Sequence, residues 1–188
     1  MKVGFDLDGV WYRFTKQIHL WMNQSAGMSL DLEAEAHSWT WFEDWQTRAQ
    51  FLQVMHDAVD AKHLFWQGEM YEPQIPQNLR DLRNAGHTIH IVTHRFSGNK
   101  ECPKQATKYW IGNNDLIFDT LTFSADKASV ETDFFIEDNL DNYDALDAAG
   151  VQVYLINRLY NLRNDTRRRV NSVDQFTKIV LESAHVTC

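Results

Sequence analysis

Near its start the chain runs Lys2-Val-Gly-Phe and then places two aspartates one residue apart, Asp6 and Asp8, ahead of Gly9. A buried strand that delivers Asp6 and Asp8 to its C-terminal end, then turns at Gly9, puts two carboxylates where an open α/β sheet holds its ligands. Crowded carboxylates are costly unless a cation or a shared proton relieves their repulsion. The hard cation that suits them is Mg²⁺, which takes few carboxylates and fills its other positions with water and substrate oxygen. An ordinary strand end followed by an Asp-Gly turn is the competing explanation, and the rest of the chain weighs against it.

Short β-rich runs alternate with longer segments of helical period, the pattern of an α/β layer architecture. Strands are expected over 2–6, 87–93, 117–123, 133–137 and 151–156, with helices over 12–24, 76–86, 103–111 and 140–149. Ser172, followed three residues later by Gln175, has the spacing of a capping box and opens a last helix toward Ala184. A parallel crossover needs only about 10–12 residues, yet more than eighty separate the first strand from the second. The surplus is rich in Trp, Phe, Met and His, and reads as two or three helices. The fold class is therefore α/β, a Rossmann-like three-layer parallel sheet with a small helical cap inserted between the first and second strands. Residues 1–25 and 73–188 form the core, and 26–72 the cap.

The balance of charge bounds the partners. With 18 Lys and Arg against 26 Asp and Glu, the net charge is −8. Polymeric nucleic acid calls for a basic surface, so the acidic balance argues against it, whereas a small phosphorylated substrate needs only a few local cations. The two cysteines, Cys102 and Cys188, suggest no disulfide framework and favour a reducing, cytoplasmic setting. No segment has the length and apolarity of a signal peptide or a membrane span.

Four polar signals fall at the ends of expected strands or in the loops after them: Asp6 with Asp8, Thr93, Lys127, and Glu137 with Asp138. In one doubly wound sheet they converge on one edge, and together they suit phosphoryl transfer. Asp6 would attack phosphorus, dividing one hard displacement into two easier ones. Asp8 would protonate the leaving oxygen and later deprotonate the attacking water. Thr93 and Lys127 would bind and neutralise the phosphoryl oxygens. Asp6, Asp8 and Asp138 would hold Mg²⁺, with Glu137 supporting them from behind. Lys100, Lys104 and Lys108 compete for the role of Lys127, but lie in or near an expected helix. Asp141 and Asp144 are alternative ligands on a helix surface.

This ordered set resembles the haloacid dehalogenase-like hydrolase superfamily from end to end. An aspartate at the nucleophile position then implies phosphate transfer rather than dehalogenation. A closer likeness is to the 5′(3′)-deoxyribonucleotidase family, carried by Phe65-Trp66, Glu72-Pro73, Ile91-Val92-Thr93-His94-Arg95, Phe123-Ser-Ala-Asp-Lys127 and Asn157-Arg158-Leu-Tyr160-Asn161. It departs from that pattern where Glu137 precedes Asp138, at Leu159, and over 27–58. The resemblance implies Mg²⁺-dependent hydrolysis of nucleoside monophosphates, a base held by aromatic cap residues, and a homodimer.

Phe14, Trp41 and Trp66 are the candidate base-binding aromatics, with His94 and Arg95 also placed at the substrate. The run Trp39-Thr-Trp41-Phe42-Glu-Asp-Trp45 pairs Trp41 with Trp45, and Trp39 with Phe42, if helical. Such residues serve equally as the core of a small subdomain or as a stacking platform for a planar ring. Arg95 either grips phosphate or pairs with a carboxylate of the cap. Arg163 and Arg167–Arg169 keep open a 3′-phosphatase acting on nucleic-acid ends, and a sugar-phosphate phosphatase is a further alternative. A binding module without turnover would lack the nucleophile or the lysine, and neither is missing.

Overall fold

The computed structural model describes residues 1–44, 46–99 and 101–184. Trp45, Lys100 and Cys188 lie outside them. Six parallel strands form one sheet: β1 (Lys2–Phe5), β2 (Thr88–Thr93), β3 (Thr120–Phe123), β4 (Phe134–Glu137), β5 (Gln152–Ile156) and β6 (Arg169–Val170). Their spatial order is β3-β2-β1-β4-β5-β6, so the order reverses beside β1. Phe5 is level with Ile91 on β2 and Ile136 on β4. That register brings the residues following all three strands to one edge, the place where a doubly wound sheet binds its ligand.

The helices are α1 (Phe14–Ala26), α2 (Arg48–Asp60), α3 (Ile75–Asn84), α4 (Cys102–Asn113), α5 (Leu140–Ala148) and α6 (Val173–Ala184). Strand alternation sorts the core. Val3, Phe5, Phe134 and Ile136 join the larger apolar cluster with α3 and α6, while Phe135 and Val153 pack with Tyr143 and Leu146 of α5. Gly4 lies under the Phe135 ring, where a Cβ would come within 2.1 Å of Phe135 Cδ2. Overpacking of this kind costs about 1–3 kcal/mol. Gly4→Ala is accordingly expected to lower the urea midpoint by that amount of stability, and an unchanged midpoint would contradict this packing.

Two expectations change. Among the described residues, the stretch between α1 and α2 carries only a short 3₁₀ turn, Trp41–Asp44, rather than additional helices. Gly27 ends α1 in the left-handed region, and the Asn23 side chain then bonds both N–H and C=O of Leu30, holding the chain in an irregular path. The second is β6, which hides in the arginine run because it is only two residues long.

Candidate active site

The turn after β1 is built on one carbonyl. Leu7 O accepts from the amides of Val10, Trp11 and Tyr12 at 3.2, 2.8 and 2.8 Å, which folds the chain back and leaves Asp6 and Asp8 at the sheet edge. Gly9 is in the left-handed region at φ 77°, and a Cβ there would fall 1.9 Å from Asp138 Oδ2. Only glycine fits between the first turn and the end of β4. Arg158 fastens this turn from the loop after β5, donating from Nε to Gly9 O at 2.7 Å with its guanidinium 3.8 Å over the Tyr71 ring.

Asp6 is buried beside Lys127, whose Nζ donates to Asp6 Oδ1 at 2.5 Å and to Val92 O at 2.6 Å. Lys127 opens a 3₁₀ turn capped by the Asp126 side chain, so its placement is set by local structure rather than by a free loop. Thr93 ends β2 fully buried, with a hydroxyl that has no hydrogen-bond partner among the described residues. Glu137 Oε1 accepts from the amides of Asp138 and Asn139, while its buried Oε2 has no hydrogen-bond partner among the described residues and lies 4.0 Å from Lys127 Nζ. Asp138 contacts the Tyr160 hydroxyl, and its carbonyl accepts from Asn161 Nδ2 at 2.7 Å.

Three carboxylates and one ammonium therefore share a buried volume. Burial, reinforced by Glu137 and Asp8 against the pull of Lys127, pushes Asp6 up to about 7. Asp138 is driven well up by burial, then by Glu137 and Asp6. Burial pulls Lys127 down, but Asp6 and Glu137 outweigh it and the ammonium is held charged. Oxygens of Asp6, Glu137 and Asp138 lie within 4.8 Å of one another. An all-oxygen donor set with one orphaned buried carboxylate oxygen fits a hard divalent cation.

Above this cluster opens a cavity of about 400 Å³, reached by Phe14, Trp41, Phe65, His94, Asp8 and Asp138. Burial, then Lys127, lowers the His94 pKa, which favours a neutral ring at the cavity wall. Trp41 sits edge-on to Phe51 at 5.5 Å, and Phe42 stacks on Phe51 at 4.1 Å.

Several expected roles fall elsewhere. Trp66 does not reach the cavity; it lines a separate groove with Lys62 and Tyr109. Phe65 has a φ of 65°, a left-handed step that gives the cavity Phe65 and turns its neighbour away. Arg95 touches neither the cavity nor an inserted-segment carboxylate, because both its Nε and Nη2 donate to Asp8. The Asp8 carboxylate is consequently engaged by Arg95, and Glu137 takes its expected place in the acidic cluster. Trp39 and Phe42 share no helix, since Trp39 precedes the 3₁₀ turn and stacks on Tyr160 at 4.9 Å, yet both line the cavity. Asp144 is paired with Arg167, and Lys104 with Glu101. Arg158 and Tyr160 received no role from sequence reasoning, although they stand in the run Asn157-Arg158-Leu-Tyr160-Asn161 that carries the family likeness.

Comparison with known proteins decides the family. The model described as 5′ nucleotidase, deoxy (pyrimidine), cytosolic type C protein matches residues 1–185. The chain belongs to this family. It is thus a phosphatase of the haloacid dehalogenase-like superfamily and a phosphoric monoester hydrolase of the 5′-nucleotidase type. A relative from Chlorobaculum tepidum, bearing the name "Putative 5′(3′)-deoxyribonucleotidase", is 28% identical over 153 residues, 79% of this chain and 75% of the relative. Solved structures agree in fold. A haloacid dehalogenase-like hydrolase from Streptococcus pneumoniae matches with TM-score 0.64 at 16% identity, covering 95% of this chain and 97% of that one. The D,D-heptose 1,7-bisphosphate phosphatase of Burkholderia thailandensis matches with TM-score 0.55 at 13% identity, covering 96% and 98%.

Proposed function

We propose that this nucleotidase is Mg²⁺-dependent and hydrolyses nucleoside 5′-monophosphates, deoxy forms included, through a phosphoryl group carried on Asp6. The observation that carries the reading is the position of Asp6: buried, paired with Lys127, and grouped with Glu137 and with Asp138, which together with Asp8 lines an aromatic cavity. Residues 26–72 act as the cap, supplying Trp41 and Phe65 to the cavity, with Phe14 of α1 completing the ring-lined wall. Base–aromatic stacking of this kind is worth about 1–3 kcal/mol per base.

An Asp6 oxygen attacks phosphorus as the ester P–O bond breaks, and the leaving oxygen takes a proton from Asp8. The nucleoside departs. Asp8 then removes a proton from water, which attacks phosphorus and breaks the bond to Asp6, releasing phosphate. Lys127 and the unpartnered Thr93 hydroxyl bind the phosphoryl oxygens throughout. Asp6 and Asp138 would hold Mg²⁺ with Glu137 beside them, and the ion supplies positive charge that keeps Asp6 ionised and offsets charge on the phosphoryl group. The family's cytosolic description and the lack, among the described residues, of any helix long and apolar enough to cross a membrane support a cytoplasmic site of action.

A panel of ribo- and deoxyribonucleoside 5′- and 3′-monophosphates with Mg²⁺ tests the substrate. Release of phosphate from one or a few 5′-monophosphates is expected, and silence on all of them with turnover of an aryl phosphate would overturn the nucleotide assignment. The basic run gives little support to an end-processing enzyme, because Arg167, Arg168 and Arg169 pair with Asp144, Asp147 and Asp165.

The cation has a signature in stability. Asp6 binds its proton more tightly folded than unfolded, so metal-free stability falls as pH rises from about 4 through about 7. Mg²⁺ relieves that penalty. The melting temperature is expected to rise with Mg²⁺ more at about pH 8 than at about pH 5; an equal rise at both would contradict the assignment.

A further inference from the structure

We infer that Arg95 is the positioning residue for Asp8, fixing the plane of its carboxylate so that one side meets the leaving oxygen of the substrate. The inference rests on the proposed role of Asp8 as proton donor, and it assigns the arginine to neither substrate nor cap.

Arg95 donates from Nε to Asp8 Oδ2 at 2.9 Å and from Nη2 to Asp8 Oδ1 at 2.7 Å. A bidentate fork of this kind fixes orientation as well as distance. Each carboxylate oxygen has two lone pairs, and Arg95 occupies one on each, leaving the others free. The Asp8 side chain keeps 28% of its exposure and borders the cavity, while the Arg95 side chain has none.

What holds the arginine is unusual for a surface ion pair. Its guanidinium carbon lies 4.3 Å from the Phe65 ring centre, 4.7 Å from that of Tyr12 and 6.0 Å from that of Trp110. Nη1 donates to Thr107 Oγ1 at 3.2 Å, and that hydroxyl donates to Pro103 O at 2.7 Å. The box is itself cross-tied: the Tyr12 hydroxyl donates to Gln67 O and accepts from Phe65 N, and Trp110 Nε1 donates to Gly68 O. A cation enclosed by three rings and bound at both ends cannot swing to a phosphate in the cavity. It can only present Asp8. Arginine suits the position because its planar fork matches a carboxylate, and a lysine would supply charge at one point only.

The test is a series of phosphate monoesters whose leaving groups grow more basic, from p-nitrophenol through phenol to an alkanol and a nucleoside. For each, kcat/KM is measured with the wild type, Arg95→Met, Arg95→Lys, Asp8→Asn and the Arg95→Met/Asp8→Asn double variant. Poor leaving groups need proton donation most. Arg95→Met is expected to lose about 10²-fold on the nucleoside ester and far less on p-nitrophenyl phosphate, steepening the dependence on basicity as Asp8→Asn is expected to do. The double variant should lose no more than Asp8→Asn alone, and Arg95→Lys should fall between wild type and Arg95→Met. An equal loss on every ester would make Arg95 merely structural. A higher KM with unchanged kcat across the series would make it a phosphate contact. Either result overturns the inference. Should Arg95→Met fail to fold, Arg95→Lys carries the same comparison. Wild-type silence on nucleotides alone defeats the substrate assignment and leaves the aryl and alkyl series intact; silence on every ester defeats both.

Discussion

Asp6→Asn is expected to reduce phosphate release by about 10⁴-fold or more, the scale of losing a covalent nucleophile, while leaving the fold intact. The two halves of the expectation have one cause. Asp6 is buried against Glu137 and Asp138 with a proton affinity already raised to about 7, so a neutral amide of the same shape relieves repulsion that the carboxylate feels. The metal-free variant should melt no lower than wild type, and its melting temperature should respond less to Mg²⁺. Activity and melting curves on the same sample check this. Full activity would remove Asp6 from the chemistry, and a collapsed melting curve would make its role structural.

Lys127→Met should be damaging in both respects. Its ammonium is the cation bonded to Asp6 and stands 4.0 Å from Glu137, and its side chain is only 2% exposed. Breaking a buried pair by deleting one partner costs about 3–5 kcal/mol, because the carboxylates left behind have neither water nor counter-charge. Loss of a preorganised charge at the phosphoryl group adds about 10²–10³ in kcat. Denaturant unfolding should show the stability loss growing with pH as the carboxylates ionise, and Mg²⁺ should recover stability better than activity. Activity retained in Lys127→Met would shift the phosphate-neutralising role to another lysine. Lys104 and Lys108 are poorly placed for it, since both sit on exposed faces of α4.

Much of this was legible from residue order alone, for a specific reason. Parallel strands end in loops on one side of the sheet, so Asp6, Thr93, Lys127 and Asp138 could be gathered before any distance was known. The 3-2-1-4-5-6 strand order then put the first and fourth of them on neighbouring strands. What stayed hidden depended on single torsions and long-range partners. Phe65 and Trp66 are adjacent aromatics, and one positive φ decides which of them faces the cavity. Arg95 and Asp8 are 87 residues apart, and periodicity carries no information about such a pairing. The inserted segment holds less helix than its composition suggests, because its aromatic and histidine side chains follow no strict period. Their contacts are made individually, Trp39 to Tyr160 and Phe42 to Phe51. Arg158 and Tyr160 are not legible in the sequence, because a loop residue that holds a turn or touches a carboxylate has no signature beyond its neighbourhood.

The most direct measurement is capture of the phosphorylated protein. A nucleoside 5′-monophosphate labelled at phosphorus is mixed with protein and Mg²⁺, quenched within a turnover, and the label retained on the chain is counted and mapped. Wild type should carry label on Asp6, up to one per chain, and Asp6→Asn should carry none. Phosphate release from the wild type with no protein-bound label at any quench time, or equal labelling of Asp6→Asn, would contradict the account.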